Sequence, residues 1–87
     1  KVRELLAANF TNWSQAVERC LDAAGERLPD DTDRRALAEY ILTVMEGAVM
    51  QARTYRELAY FDRNISMLRD HIGMLEDRAK AQRIQAV

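Results

Sequence analysis

Leu6, Phe10, Trp13, Val17, Cys20 and Ala24 recur at spacings of 4, 3, 4, 3 and 4 residues. On a helix of 3.6 residues per turn that rhythm lines them up on one face, so the pattern predicts a first helix over 2–26. It breaks in the stretch Gly25 to Asp33, where a glycine, the only proline and four acidic residues gather into a turn. Asp31 or Thr32 can accept the free amide hydrogens of a helix start, and Asp33 lies where the helix dipole favours negative charge. A second helix is predicted over 32–55. Its apolar residues, Leu37, Tyr40, Ile41, Val44, Met45, Ala48, Val49 and Ala52, cover more than one stripe, which predicts the most buried helix of the three. No glycine or proline separates it from the next apolar run, so that boundary rests on a change of pattern near 56–59. Beyond it Leu58, Phe61, Ile65, Leu68, Ile72, Leu75 and Ala79 keep a sustained heptad seam, and a third helix is predicted over 59–81. A helix of about 22 residues is roughly 33 Å long, and three of them joined by short turns stack side by side. The expected fold is all-α, an antiparallel three-helix layer.

The third helix has apolar positions to spare. Tyr60, Met67 and Met74 form a second line about 130° from the main seam, and Ala59, Ser66 and Gly73 form a line of small residues. Three helices cannot cover both apolar faces, so a partner helix from a second copy is expected, in a four-helix-bundle-type dimer interface. The second helix points the same way. Gly47 inside a helix costs about 1 kcal/mol relative to alanine, and Glu46 beside it interrupts an apolar run. The bland explanation is a solvated helix edge where another helix comes close. The sharper one places Gly47 at a helix crossing in a homodimer, with Glu46 and Arg53 pairing across the two-fold axis. The expected interface therefore comprises Glu46, Gly47, Met50, Arg53, Tyr60, Met67 and Met74.

Length and charge narrow the picture further. The chain has 87 residues, 13 of them basic and 14 acidic, which allows one domain with a modest core. One cysteine and one histidine, Cys20 and His71, cannot supply a disulfide framework or a metal site, so oligomerisation or a missing second domain is the remaining help. Ile41 to Met50, the most apolar segment, is broken by Glu46 and is far shorter than the roughly 20 residues of a membrane span. With no leader signal and a start at Lys1, the chain reads as a fragment, or the ordered remainder, of a longer cytoplasmic protein.

Chemistry is sparse. Nucleophilic or acid-base catalysis needs converging groups, yet Cys20 lies on an apolar face as a small core residue, and His71 stands alone as a surface or interface histidine. Asp30, Asp31 and Asp33 lack the glycine and closing glutamate of a calcium loop. No enzyme, metal or cofactor is expected. Arg34 and Arg35 beside those aspartates balance the helix-start charge, and basic residues are interleaved with acidic ones throughout, which leaves no footprint for nucleic acid.

The run Leu37-Ala38-Glu39-Tyr40-Ile41-Leu42 through Glu46-Gly47-Ala48 to Ala52-Arg53, preceded by an aromatic-rich helix, a Gly25-containing turn and acidic residues, resembles the C-terminal domain of TetR-family transcriptional regulators. The resemblance covers about Phe10 to Leu75. It implies the last helices of an effector-binding domain, the final two pairing with their counterparts in a dimer. It also implies a helix-turn-helix DNA-binding domain that this chain does not contain. Gene regulation by a repressor would then belong to the parent protein, and effector sensing and dimerisation to this piece.

On that reading Phe10 and Trp13 of the first helix, facing Met45 and Val49 of the second, would offer an aromatic and thioether surface to a small apolar or amphipathic effector. Expected partners are a second copy, that effector, and DNA only through the missing domain, with no membrane. The alternative is a homo-oligomeric helical bundle with a structural or adaptor role. A helix-turn-helix pattern in the sequence preceding Lys1 would separate the two.

Overall fold

The end of the first helix and both ends of the second are set by the groups that take up their free backbone hydrogen bonds. The computed structural model describes the backbone of residues 1–86 and the side chains of residues 1–85: helix α1 (Val2–Ala24), a 3-10 turn (Gly25–Arg27), helix α2 (Arg34–Tyr55) and helix α3 (Ala59–Ala86). The first helix stops at Ala24, two residues short of the sequence expectation, because Gly25 turns the chain at φ 55°. The carbonyls left free there are met from other helices. Arg34 donates to the carbonyls of Leu21 and, at 2.8 Å, of Gly25, and Arg83 of α3 donates to that of Glu26. Arg34 is thus a cap for α1, which corrects its expected part in helix-start charge balance.

The second helix starts at Arg34, not 32. Asp33 is its cap, its carboxylate accepting the amide hydrogen of Ala36 at 3.0 Å. Neither residue expected to do this does so, and the Thr32 hydroxyl is buried with no hydrogen-bond partner among the described residues. Asp31 accepts from Arg78 at 2.6 Å, and the amide of Thr32 closes a turn onto Pro29 at 3.1 Å. The break after α2 falls where the pattern change placed it. Arg56 adopts the left-handed conformation (φ 54°, ψ 43°) while the amide of Glu57 reaches back to the carbonyl of Ala52 at 3.0 Å. The third helix begins at Ala59 as expected and continues to Ala86, five residues past the expected end.

The order of partners shows the antiparallel arrangement. Asp31, Tyr40 and Gln51 meet Arg78, His71 and Asn64 in turn, so α3 runs back along α2. Arg34 meets Leu21 near the start of α2, while Met50 lies across from Phe10, so α1 does the same. The Cα atoms span 50 × 32 × 14 Å, a slab one helix thick with α2 in the middle.

That shape fixes the core. Leu37, Ala38 and Ala48 of α2, Leu68 and Ala79 of α3, and Leu28 with Pro29 of the turn are buried. The central helix contributes most, as its pattern predicted. The heptad seam of α3 faces α2: besides Leu68 and Ala79, its Phe61, Ile65, Ile72 and Leu75 are half-buried, and Leu58 is exposed just outside the helix. Helix α1 contains no buried residue, because it touches only one other helix. Leu6, Phe10 and Trp13 remain open, and Cys20 is exposed, which overturns its expected place in the core.

Candidate functional site

Glu39, Thr43, Glu46 and Met50 occur at intervals of four, three and four along α2 and therefore share one line on its surface. Phe10, Thr11 and Ser14 of α1 stand across from them. With Leu42 and Gly47 these residues enclose an open groove of about 530 Å³ between the two helices, within the 300–1,000 Å³ usual for small-molecule sites. Phe10, Leu42 and Met50 give it apolar surface. A methyl group added at Gly47 would meet nothing within 4 Å. Among the described residues no helix presses on that glycine, and its missing side chain leaves this part of the groove open.

The polar groups are oriented. The Thr43 hydroxyl donates to the carbonyl of Glu39 at 2.8 Å and the Ser14 hydroxyl to that of Thr11 at 3.2 Å. Glu39 and Glu46 form no ion pair among the described residues. The groove continues past Thr11, Ser14 and Glu39 into a polar stretch lined by Gln15, Glu18 and Arg35.

The four residues expected to hold an effector are separated. Phe10 lies in the groove, but not opposite Met45 and Val49. Val49 lines an apolar notch of about 230 Å³ with Ala52, Arg53, Leu58 and Phe61, where α2 meets the start of α3. Trp13 and Met45 line neither, and both are exposed. The cause is helical phase: Met45, Val49 and Ala52 lie about 120° round α2 from the Glu39, Thr43, Glu46 and Met50 line. Of the residues expected at a dimer interface, Glu46, Gly47 and Met50 share this groove with Phe10, and Arg53 lies in the notch. Met67 and Met74 protrude from α3 with 69% and 64% of their surface exposed. Tyr60 is half-buried, stacked on Tyr55 at 4.4 Å with the Arg63 guanidinium 4.8 Å above its ring.

Thr11, Ser14, Glu39, Leu42 and Thr43 are the groove residues that sequence reasoning did not assign to a site. Seven-residue spacing puts Glu39, Glu46 and Arg53 nearly in line with Met50 between the last two, but it does not say which helix that line faces, and Arg53 lies in the notch instead of the groove. His71 binds the Tyr40 hydroxyl through Nδ1 at 3.2 Å and packs edge-on to its ring at 5.4 Å, a tie between α2 and α3. Among the described residues no three His, Cys, Asp or Glu side chains gather as a metal site would need, and no helix is long and apolar enough to cross a membrane.

A family model described as the tetracyclin repressor-like C-terminal domain matches residues 1–68. The chain belongs to the TetR family. Its match spans α1, α2 and the first third of α3, so the groove and the α2–α3 junction of this TetR-family domain both lie inside it. The all-α architecture and the assignment to transcription regulation follow from that membership, and C-terminal domains of the TetR family belong to regulators rather than enzymes. No curated protein and no solved structure matches the chain.

Proposed function

We propose that this domain is the ligand-sensing and dimerising part of a cytoplasmic TetR-like repressor whose DNA-reading helices lie outside these residues. The observation that carries the sensing role is the groove between α1 and α2. It has the volume of a small-molecule site, an aromatic and a thioether side chain on its walls, and a glycine that keeps it open. Because α1 packs on α2 alone among the helices, and α2 in turn on α3, a ligand wedged in the groove acts through α2 on α3, which carries most of the dimer face. A molecule that binds better to one spacing of α1 and α2 than to another shifts the population toward it.

Exposed surface supports the dimer. The chain exposes 6948 Å², about 1.3 times the roughly 5,200 Å² typical of a folded monomer of this mass. The excess, about 1,700 Å², is roughly twice the 800 Å² that a standard interface takes from each partner. Arg53, Tyr60, Met67 and Met74 are assigned to that interface, in keeping with the sequence pattern. Glu46, Gly47 and Met50, which the pattern groups with them, are assigned to the groove they share with Phe10.

Light scattering at micromolar concentration tests this. The chain should have twice its 10.0 kDa mass, and the pair Met67→Glu and Met74→Glu should reduce it to a monomer with helical circular dichroism retained. A wild-type monomer would remove the dimer from the proposal. In the intact protein, a groove ligand should release operator DNA, while the 87-residue chain alone should bind duplex DNA no tighter than the nonspecific range of about 10⁻⁴ to 10⁻⁶ M at physiological salt.

A further inference from the structure

We infer that the groove selects a protonated amphipathic amine, an ammonium head on an apolar body; this rests on the ligand-sensing role proposed for the same groove. The groove is rich in acceptors and short of donors. Two carboxylates, Glu39 and Glu46, line it, no lysine or arginine does, and neither carboxylate has an ion-pair partner among the described residues. The hydroxyls of Thr43 and Ser14 spend their hydrogens on carbonyls of their own helices, so they turn lone pairs, not hydrogens, toward a ligand. The Thr11 hydroxyl is the one lining side chain free to donate.

Position strengthens the reading. Glu39 and Glu46 are seven residues apart, about 10.5 Å along the axis, with Thr43 between them. A cation above Thr43 lies roughly 5 Å along α2 from each carboxylate, and its N–H groups find acceptors on the helix. Phe10, Leu42 and Met50 receive the apolar body. An anionic head would meet two like charges. Arg35, the nearest cation along the trough, stands in the adjoining stretch with Glu18 and forms no ion pair with Glu39 among the described residues.

Three probes with the same body and different heads test the inference: decylammonium, 1-decanol and decanoate, each below its aggregation limit and bound to the 87-residue chain. Trp13, the sole tryptophan and edge-on to Phe10, reports occupancy by fluorescence, with calorimetry as a check. Decylammonium should bind at least tenfold more tightly than decanol, and decanoate most weakly. Replacing both carboxylates (Glu39→Gln and Glu46→Gln) should abolish that preference, decylammonium losing at least tenfold more affinity than decanol, with helical content retained. Equal binding of decylammonium and decanol would overturn the cation inference and leave the ligand groove standing. A preference that survives in the double variant would overturn it too, since the cation would then sit elsewhere. Failure of all three probes to bind would remove the ligand groove along with it.

Discussion

Trp13 stands edge-on to Phe10, ring centroids 5.9 Å apart and planes at 83°, so a tryptophan outside the groove touches the ring that lines it. Such a pair contributes about 0.5–1.5 kcal/mol beyond the area it covers. With Trp13 49% exposed, Trp13→Ala should cost about 1 kcal/mol rather than the roughly 3–5 kcal/mol of a core aromatic residue. Denaturant unfolding measures this directly. A loss of core size would mean that this face of α1 is covered in solution.

Gly47 lies in mid-helix with no neighbour within 4 Å of a Cβ position. Gly47→Ala should therefore stabilise the chain by about 1 kcal/mol, the difference in helix propensity. The measurement is a urea midpoint at two protein concentrations. If alanine instead lowers the midpoint and weakens association, Gly47 lies at a helix crossing between copies.

Arg56 holds the left-handed conformation that ends α2, at a cost of about 1–2 kcal/mol for a residue with a Cβ. Glycine adopts this conformation freely but loses more entropy on folding. Arg56→Gly should raise stability by about 0.5–1 kcal/mol, visible as a higher thermal midpoint. A lower midpoint would show that the arginine side chain contributes more than its backbone costs.

A hydrogen bond from Arg78 at 2.6 Å, reinforced by its positive charge, holds the Asp31 carboxyl below the usual carboxylate range. A pKa depressed by folding adds stability above the unfolded value, near 4, and that stability is lost as pH falls through the lower folded value. Asp31→Asn should thus melt below the wild type at pH 7, and the gap should close on acidification below pH about 4. Because the pair is exposed, 1 M salt should narrow the gap at neutral pH. An unchanged gap at low pH would show that the aspartate acts through something other than its charge.

Three helices, their order and the break near Arg56 were legible in the chain because amphipathic periodicity is local. An apolar residue every three or four positions marks a face whatever lies opposite. The membership of the TetR family was legible as well, from the run between Leu37 and Arg53, which the match over residues 1–68 supports. Local reasoning failed where one segment borrows its hydrogen-bond partner from another. Asp33, not Asp31 or Thr32, caps α2 because Arg78, forty-seven residues on, has already taken Asp31, and Arg34 serves the end of α1. Nor does periodicity say how many neighbours a face has. Cys20 lies on an apolar stripe yet is exposed, since a slab one helix thick gives α1 a single helical neighbour. The groove shows the same division: helical phase along α2 already separates the Glu39, Thr43, Glu46 and Met50 line from Met45 and Val49, but only the tertiary structure shows that α1 lies along the first of these faces and brings Phe10 to Glu46, Gly47 and Met50.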